Sequence, residues 1–291
     1  MTQHPLFSVQ DEVSPLRDVI IGRSAGFHRD PTRVEVVNST QQETVDAGGH
    51  PDPGRLDQEF GAFKAALEAE SVQVHIPDLS PESVQDQTCP RDIGVVIGDT
   101  LVQAGMRHAS RQDEFLAIEG ILSGFSGPRL CVPDGVALEG GDVIVERGAV
   151  YVGIGQRSDW EGADWLQSRF GGNHKIVPVQ TRSEEVLHLD CTFNPLGLGH
   201  ALVYPAGILE MPASITEAYE WIEVDRGEMQ ELATNVFSLA PDTVVARRAP
   251  GCARVNSVLR QAGYRVIELD FDAVPGIGGS FRCATLPLLR S

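Results

Sequence analysis

Long apolar runs are missing from this chain. Its 291 residues hold no stretch near the ~20 apolar residues that span a bilayer. The first residues, Met-Thr-Gln-His-Pro-Leu-Phe, show no basic region followed by an apolar run, so no secretory signal is expected. Paired cysteines are missing too. Cys89, Cys131, Cys191, Cys252 and Cys283 are widely spaced, odd in number and form no C-x-x-C pair. That argues against a disulfide framework or a structural zinc site and makes a reducing cytoplasm the expected setting. Positive charge is scarce: 23 Lys and Arg stand against 41 Asp and Glu, for a net charge of −18. Nucleic acid and anionic membrane both need a positive face, so neither is expected as a partner. A small cationic substrate is compatible, because a negative field gathers it, although the same charge also serves plain solubility. Linkers and low-complexity segments are absent as well; the nearest candidate, Gly48-Gly49-His50-Pro51-Asp52-Pro53-Gly54, reads as a short loop.

What remains is a globular composition, 42% hydrophobic and 22% charged, with length enough for a sizeable core. Strand and helix signals alternate, which makes the class α/β. A loose repeat runs through them. Arg17–Gly22 reads as a strand. Gly94–Ala104 reads as two strands about a Gly-Asp turn, and Asp142–Gly153 and Phe193–Tyr204 repeat that form. A fifth unit runs from Thr243–Ala246 to the C-terminus. Between them lie helical segments. Leu56, Phe60, Phe63 and Leu67 share one face; Ser158 and Glu161 form a capping box before Trp165, Leu166 and Phe170. Pro250 opens and Gly263 closes a helix presenting Val255 and Leu259. Five units of ~50–60 residues are the mark of an internal-repeat architecture.

Four segments carry side chains able to do chemistry. In Gly278-Gly279-Ser280-Phe281-Arg282-Cys283 a double glycine permits close approach by a ligand, and the following cysteine sits where an arginine and loop amides favour thiolate. Read alone, such a cysteine is more often an inert buried one after an ordinary turn, and Arg282 either lowers the thiol pKa or faces solvent. His188 and Asp190 in Leu187-His188-Leu189-Asp190 would share one face of a strand, the histidine as general acid and base. Glu139 precedes Gly140-Gly141-Asp142, where a carboxylate can lean into a site without backbone obstruction. Asp92, after Pro90-Arg91, is either a further site carboxylate or an ion-pair partner of Arg91. A guanidinium is planar, cationic and rich in N–H donors, so it demands carboxylates in fork geometry. It is also a poor electrophile, needing a strong nucleophile and a proton donor for the leaving amine. Cys283, His188, Glu139, Asp92 and Asp190 together supply those parts.

Taken in order, these motifs resemble the guanidino-group-modifying superfamily, which includes arginine deiminase, dimethylarginine dimethylaminohydrolase and glycine amidinotransferase. The resemblance runs from Ser14-Pro15-Leu16-Arg17-Asp18-Val19 to Arg282-Cys283. It implies a five-bladed α/β propeller, the pentein fold, as a single catalytic domain over residues 1–291. It implies Cys283 as nucleophile, His188 and Asp190 as the His-x-Asp pair, Glu139 as the acidic residue of E-G-G-D, and Asp92 as a carboxylate gripping guanidinium nitrogens. Arg111, in a stretch similar to the family's M…R..E, and Arg157 would bind a substrate carboxylate. Neither cofactor nor metal is implied; the partner is a small arginine-like cation, with a homo-oligomer left open.

The subtype is divided. His188-Leu189-Asp190-Cys191-Thr192-Phe193-Asn194 and the Met106 segment look most like glycine amidinotransferase, which typically carries Asp where Glu139 stands. The E-G-G-D form and Arg282-Cys283-Ala284-Thr285-Leu286-Pro287-Leu288 look more like arginine deiminase. The extra helical insert of that enzyme is missing, and the length is nearer the dimethylarginine hydrolases. An arginine dihydrolase typically has Asn in place of Asp92. The leading expectation is a cysteine-dependent hydrolase of arginine or a close derivative. The alternatives are an amidinotransferase, a citrulline (ureido) hydrolase, and a non-catalytic ligand-binding pentein.

Overall fold

The computed structural model describes residues 4–24, 35–48, 52–78, 84 and 86–291. Residues 49–51 of the glycine-proline loop and the first three residues of the chain lie outside them.

Among the described residues, short β-branched runs broken by turns form fifteen strands, β1 (Leu16–Ile21), β2 (Gln73–His75), β3 (Gly94–Ile97), β4 (Thr100–Gln103), β5 (Arg129–Cys131), β6 (Val143–Glu146), β7 (Ala149–Ile154), β8 (Lys175–Gln180), β9 (Phe193–Pro195), β10 (His200–Val203), β11 (Glu220–Glu223), β12 (Phe237–Ala240), β13 (Thr243–Arg247), β14 (Arg265–Leu269) and β15 (Thr285–Arg290). They assemble into five three-stranded sheets, β15-β1-β2, β3-β4-β5, β6-β7-β8, β9-β10-β11 and β12-β13-β14. In every sheet the middle strand pairs antiparallel on one side and parallel on the other. The parallel partner is reached through a helical crossover, as parallel pairing requires. The result is the five-bladed α/β propeller of the pentein fold.

The expected repeat differs in two places. The fifth sheet begins at Phe237, ahead of Thr243, and the C-terminal strand leaves it to close the first sheet, Ile21 pairing with Thr285 and Leu16 with Arg290. A linear reading cannot see that exchange, because pairing over so many residues is a long-range choice. The helix Pro53–Ala69 starts on Asp52, whose side chain accepts from the Arg55 amide, and buries Leu56, Phe60, Phe63 and Leu67. The helix Trp160–Phe170 is capped by Asp159, not Ser158. Ser158 is drawn inward instead, its hydroxyl donating to Asp142 at 2.6 Å and accepting from the Glu139 amide at 3.0 Å. A 3-10 turn, Pro250–Cys252, opens the helix Ala253–Gln261, which buries Val255 and Leu259. No helix of the described residues is long and apolar enough to cross a membrane.

The core beside the last blade is aromatic. Phe63 packs against Phe281 with ring centroids 4.8 Å apart, and Phe281 stacks on Phe271 at 4.3 Å. Phe281 stands two residues before Cys283, so this cluster anchors the segment that carries the thiol. Replacing the fully buried Phe63 by Ala should remove ~3–5 kcal/mol of stability. Denaturant unfolding checks it, and a loss under ~1 kcal/mol would mean that the cluster does not hold the segment.

Candidate functional site

The candidate side chains stand in lead-in turns, the short segments just before the first strand of each blade. Asp92 lies in the helical turn Pro90–Ile93 before β3. Glu139 precedes the 3-10 turn Gly140–Asp142 before β6. His188 and Asp190 flank and occupy the 3-10 turn Leu189–Cys191 before β9. Asn235 precedes β12, and Cys283 precedes β15. His188 and Asp190 are therefore not alternate residues of a strand. Backbone at His188 is extended and then winds into a tight turn, which sends the two side chains to different neighbours.

The turns close a ring. Hydrogen bonds join four of the five pairs of successive turns; the turns of Asp92 and Glu139 meet by packing, a Cβ on Gly140 standing 2.2 Å from the Arg91 carbonyl oxygen, and Arg107, past β4, adds a bond to Glu139. The Arg91 amide donates to the Cys283 carbonyl at 3.1 Å, and the Arg107 amide to Glu139 Oε1 at 3.0 Å. The Leu189 amide donates to Asp142 at 2.8 Å. The Thr234 hydroxyl donates to the Cys191 carbonyl at 2.6 Å, and the Cys283 amide to Asn235 Oδ1 at 3.1 Å. Two glycines permit this closeness. A Cβ on Gly141 would stand 2.7 Å from the His188 ring and 2.9 Å from Asp92 Oδ1. A Cβ on Gly279 would stand 2.6 Å from Cys89 Sγ and 3.2 Å from Cys283 Cβ. The close approach that the double glycines allow is thus, in these cases, an approach by neighbouring side chains.

The charges inside the ring are organised about His188. Its Nε2 lies 2.8 Å from Glu139 Oε2, and its Nδ1 lies 3.7 Å from Asp92 Oδ1. Burial alone would drive the imidazole neutral. The charge of Asp92, the hydrogen bond to Glu139 and the charges of Asp142 and Glu139 overcome it and raise the pKa to about 10. Conversely, burial would raise Glu139, but His188, Arg157 and Arg111 hold it well below the usual carboxylate range. Asp142 is pushed up to about 7 by burial, against the pull of His188 and two hydrogen bonds. Asp190 Oδ2 lies 3.8 Å from Cys283 Sγ. Its pKa is raised by burial, with Arg282 and His188 opposing.

Arg111 and Arg157 face inward. Arg111 gives one hydrogen bond to Asp92 at 2.9 Å and a bidentate pair to Glu114 at 2.8 and 2.9 Å. Arg157 lies 3.2 Å from Glu139 Oε2 and donates to the Val37 carbonyl at 2.6 Å. Asp92 Oδ1 and His188 Nδ1 have no hydrogen-bond partner among the described residues. Asp92, Glu139 and His188 bring ligand-type atoms within 4.8 Å of one another. Asp92 is paired with Arg111, and Glu139 with Arg157 and His188. A cavity of about 480 Å³ opens beside the ring, lined by Asn38, Gln156, Glu184, Leu187, Cys191 and Gly278 among others.

The family model described as N,N dimethylarginine dimethylhydrolase, eukaryotic, matches residues 32–290. The chain belongs to this family. Among curated relatives it is 34% identical to the uncharacterized protein YkgA of Bacillus subtilis, over 88% of this chain and 87% of that one. It is 27% identical to inosamine-phosphate amidinotransferase 1 of Streptomyces glaucescens, over 98% and 97%. Among solved structures, SxtG, an amidinotransferase from Microseira wollei, superposes with a TM-score of 0.84 at 19% identity, covering 98% of this chain and 97% of that one. This chain is therefore a pentein of the guanidino-group-modifying superfamily.

In this pentein the ring brings Asp92, Glu139, His188, Asp190 and Cys283 together, with Arg111 and Arg157 behind the first two. Several residues that shape the site carry little or no signal in the sequence. Asp142 bridges two lead-in turns, Asn235 holds the Cys283 amide, and Glu114 pairs Arg111. Of these, Asp142 stands in E-G-G-D and Glu114 closes the M…R..E stretch, whereas Asn235 stands in no motif. Arg282 does not face solvent: it is 2% exposed.

Glu139→Gln tests the electrostatics. It removes the charge and the charged acceptor that hold the His188 proton, so the His188 titration observed by NMR should move to lower pH. It also leaves Arg157 buried without a carboxylate, so stability should fall by ~3–5 kcal/mol. An unmoved titration would show that Glu139 does not hold that proton.

Proposed function

We propose that the chain is a single catalytic unit that hydrolyses the guanidino group of arginine or a close derivative through a covalent intermediate on Cys283. One observation carries the reading. A thiol stands against a buried carboxylate, Cys283 on Asp190, in the same ring as a protonated histidine held between two more, His188 between Glu139 and Asp92.

Asp92 and Asp190 receive guanidinium N–H groups, the unpartnered Asp92 Oδ1 being free to accept one. Glu139 keeps His188 protonated. Cys283, as thiolate, attacks the guanidinium carbon, and the same thiolate is released in the second half. The carbon–nitrogen bond to the departing amine breaks as His188 delivers its proton to that nitrogen, leaving an S-alkylthiouronium. Neutral His188 then takes a proton from water, whose oxygen adds to the same carbon and expels the sulfur. Arg111 and Arg157 are already held by carboxylates, so their role here is to brace Asp92 and Glu139, not to bind a substrate carboxylate. The cavity mouth carries Glu43, Glu184, Glu185 and Glu231 against Arg226, a balance that favours a cation.

The second reading is an amidinotransferase, with an amine in place of water in the second half. It is favoured by the amidinotransferases among the relatives at near-complete coverage.

Intact-protein mass spectrometry after mixing with arginine, beside assays for ammonia, citrulline and ornithine, separates the readings. A transient adduct on Cys283 with ammonia and citrulline is the hydrolase outcome. Ornithine without ammonia, with an adduct that persists until an amine is added, is the transferase outcome. Cys283→Ser should cost several orders of magnitude in rate, and a variant keeping most of the activity would sink the mechanism. The first half needs protonated His188 as well as the Cys283 thiolate, so beyond the limb set by the thiol its rate should fall as pH rises towards about 10. Single-turnover kinetics across pH read that limb, and a rate that fell already between pH 6 and 7 would reject His188 as the acid.

A further inference from the structure

Beneath the thiol lies a second cluster of charge that the proposed chemistry does not use. Arg282, the residue before Cys283, is buried. Its NH1 donates to Glu12 Oε2 at 2.7 Å, and its Nε lies 3.4 Å from Asp190 Oδ2 without forming a hydrogen bond there. Its NH2 has no hydrogen-bond partner among the described residues. Glu12 comes from the N-terminal segment, 270 residues away in sequence. It also accepts from the Val145 amide at 3.1 Å and lies 3.7 Å from Arg91 NH1.

We propose that Arg282 is a positioning residue. It fixes the Asp190 carboxylate against the Cys283 sulfur and offsets its charge there, and Glu12 sets how much of the arginine's own charge reaches the pair. The proposal rests on the reading of Cys283 as nucleophile. An arginine at 3.4 Å from one carboxylate and 2.7 Å from another is shared between them, so weakening one partner strengthens its hold on the other. Asp190 without Arg282 would lose its nearest cation and leave a negative charge offset only by His188 and Arg91 at 3.8 Å from the sulfur, where it opposes thiolate.

The other groups facing this pair do not replace Arg282. Around the sulfur stand Arg91 and Cys89 from the segment before β3 and Cys191 from the turn before β9. His188, Asp92 and Arg91 act on Asp190, and Arg290 acts on Glu12. The other nearby cations are turned elsewhere: His188 lies between Glu139 and Asp92, and the Arg91 side chain turns to Glu12, Thr285 and the Arg282 carbonyl. Among the described residues, Arg282 alone joins Glu12 to Asp190 by ion pairs.

Iodoacetamide alkylation of Cys283, followed by peptide mass mapping from pH 6 to 10, reads the thiol directly. It needs no substrate, so failure to turn over arginine would count against the proposed reaction and leave this measurement standing. Arg282→Met should move the alkylation profile to higher pH, slowing it about tenfold at a fixed pH on the rising limb. Glu12→Gln should move it the other way, because the arginine charge it releases bears on Asp190 and the sulfur. Arg282→Lys, which keeps the charge, should restore most of the wild-type profile. A purely structural role predicts loss in both single variants with no opposed shift. Thermal melts accompany each variant; where Arg282→Met does not fold, the paired Glu12→Gln/Arg282→Met variant replaces it and should also shift upward. Profiles that stay with wild type, or that move in the same direction for Glu12→Gln and the Arg282 variant, overturn the proposal.

Discussion

Charge buried at the centre of a ring must be answered there, and this constraint governs the molecule. Glu12, Arg91, Asp190 and Arg282 are all at most 2% exposed. An isolated charge at such depth would cost more than a domain's whole stability. Each is therefore tied to a partner, and three ties cross between blades: Glu12 to Arg91, Asp190 to Arg282, and, beside them, Glu139 to His188; Glu12–Arg282 and Glu139–Arg157 brace their own blades. The blades cannot drift apart without stranding a charge. Glu12 stays ionised at this depth because of those partners. Desolvation alone would raise its pKa, but Arg282 and Arg91 pull it down to about 2. The N-terminal segment and the C-terminal strand are locked by the same logic, since Arg282 immediately precedes the segment that closes the first sheet.

Architecture explains why the site has this composition. A three-stranded blade presents its lead-in turn to the neighbouring blade, and five such turns can satisfy each other's backbone groups around a closed circuit. Turns expose amides and carbonyls that a strand would commit to its ladder. The circuit consumes many of them through Asp142, Thr234 and Asn235. The side chains left over point inward. Three of them are carboxylates near one histidine, an arrangement tolerable only because two arginines stand behind it and the histidine keeps its proton.

Much of this is legible in the sequence, and the reasons are local. A blade is made of adjacent strands joined by tight turns, so the paired runs around Gly98-Asp99 and Arg147-Gly148 announce themselves by spacing alone. The helix Pro53–Ala69 is equally plain, because its buried face repeats every three to four residues. The carboxylates, the histidine and the cysteine stand out because a guanidinium demands that set of groups. What stays hidden depends on distance along the chain. The partner of β1 is β15, and the partner of Arg282 is Glu12; no local pattern specifies either pairing. Ser158 fits the short-range pattern of a helix cap and is not one. A buried carboxylate at Asp142 outcompetes that role, and Asp159 takes it.

The placement of Arg111 and Arg157 shows how a motif can carry a residue correctly and still leave its work to be found. Either arginine could bind a carboxylate, and each does so, but the carboxylates are Asp92, Glu114 and Glu139 of the protein itself. A guanidinium fork holds a carboxylate in a fixed plane, which is the condition for presenting the remaining oxygen to a second guanidinium. On the proposed reading the protein's own arginines thus pre-form the geometry that a substrate guanidinium completes. Asp92 shows the principle most directly: Oδ2 is taken by Arg111, and Oδ1, buried, has no hydrogen-bond partner among the described residues, His188 Nδ1 standing off at 3.7 Å. An unpaired buried acceptor costs stability in the free protein. A site organised for a cation recovers that cost when the cation arrives, and this sets the deep carboxylates apart from the glutamates at the mouth, which lie nearer solvent and can only gather charge.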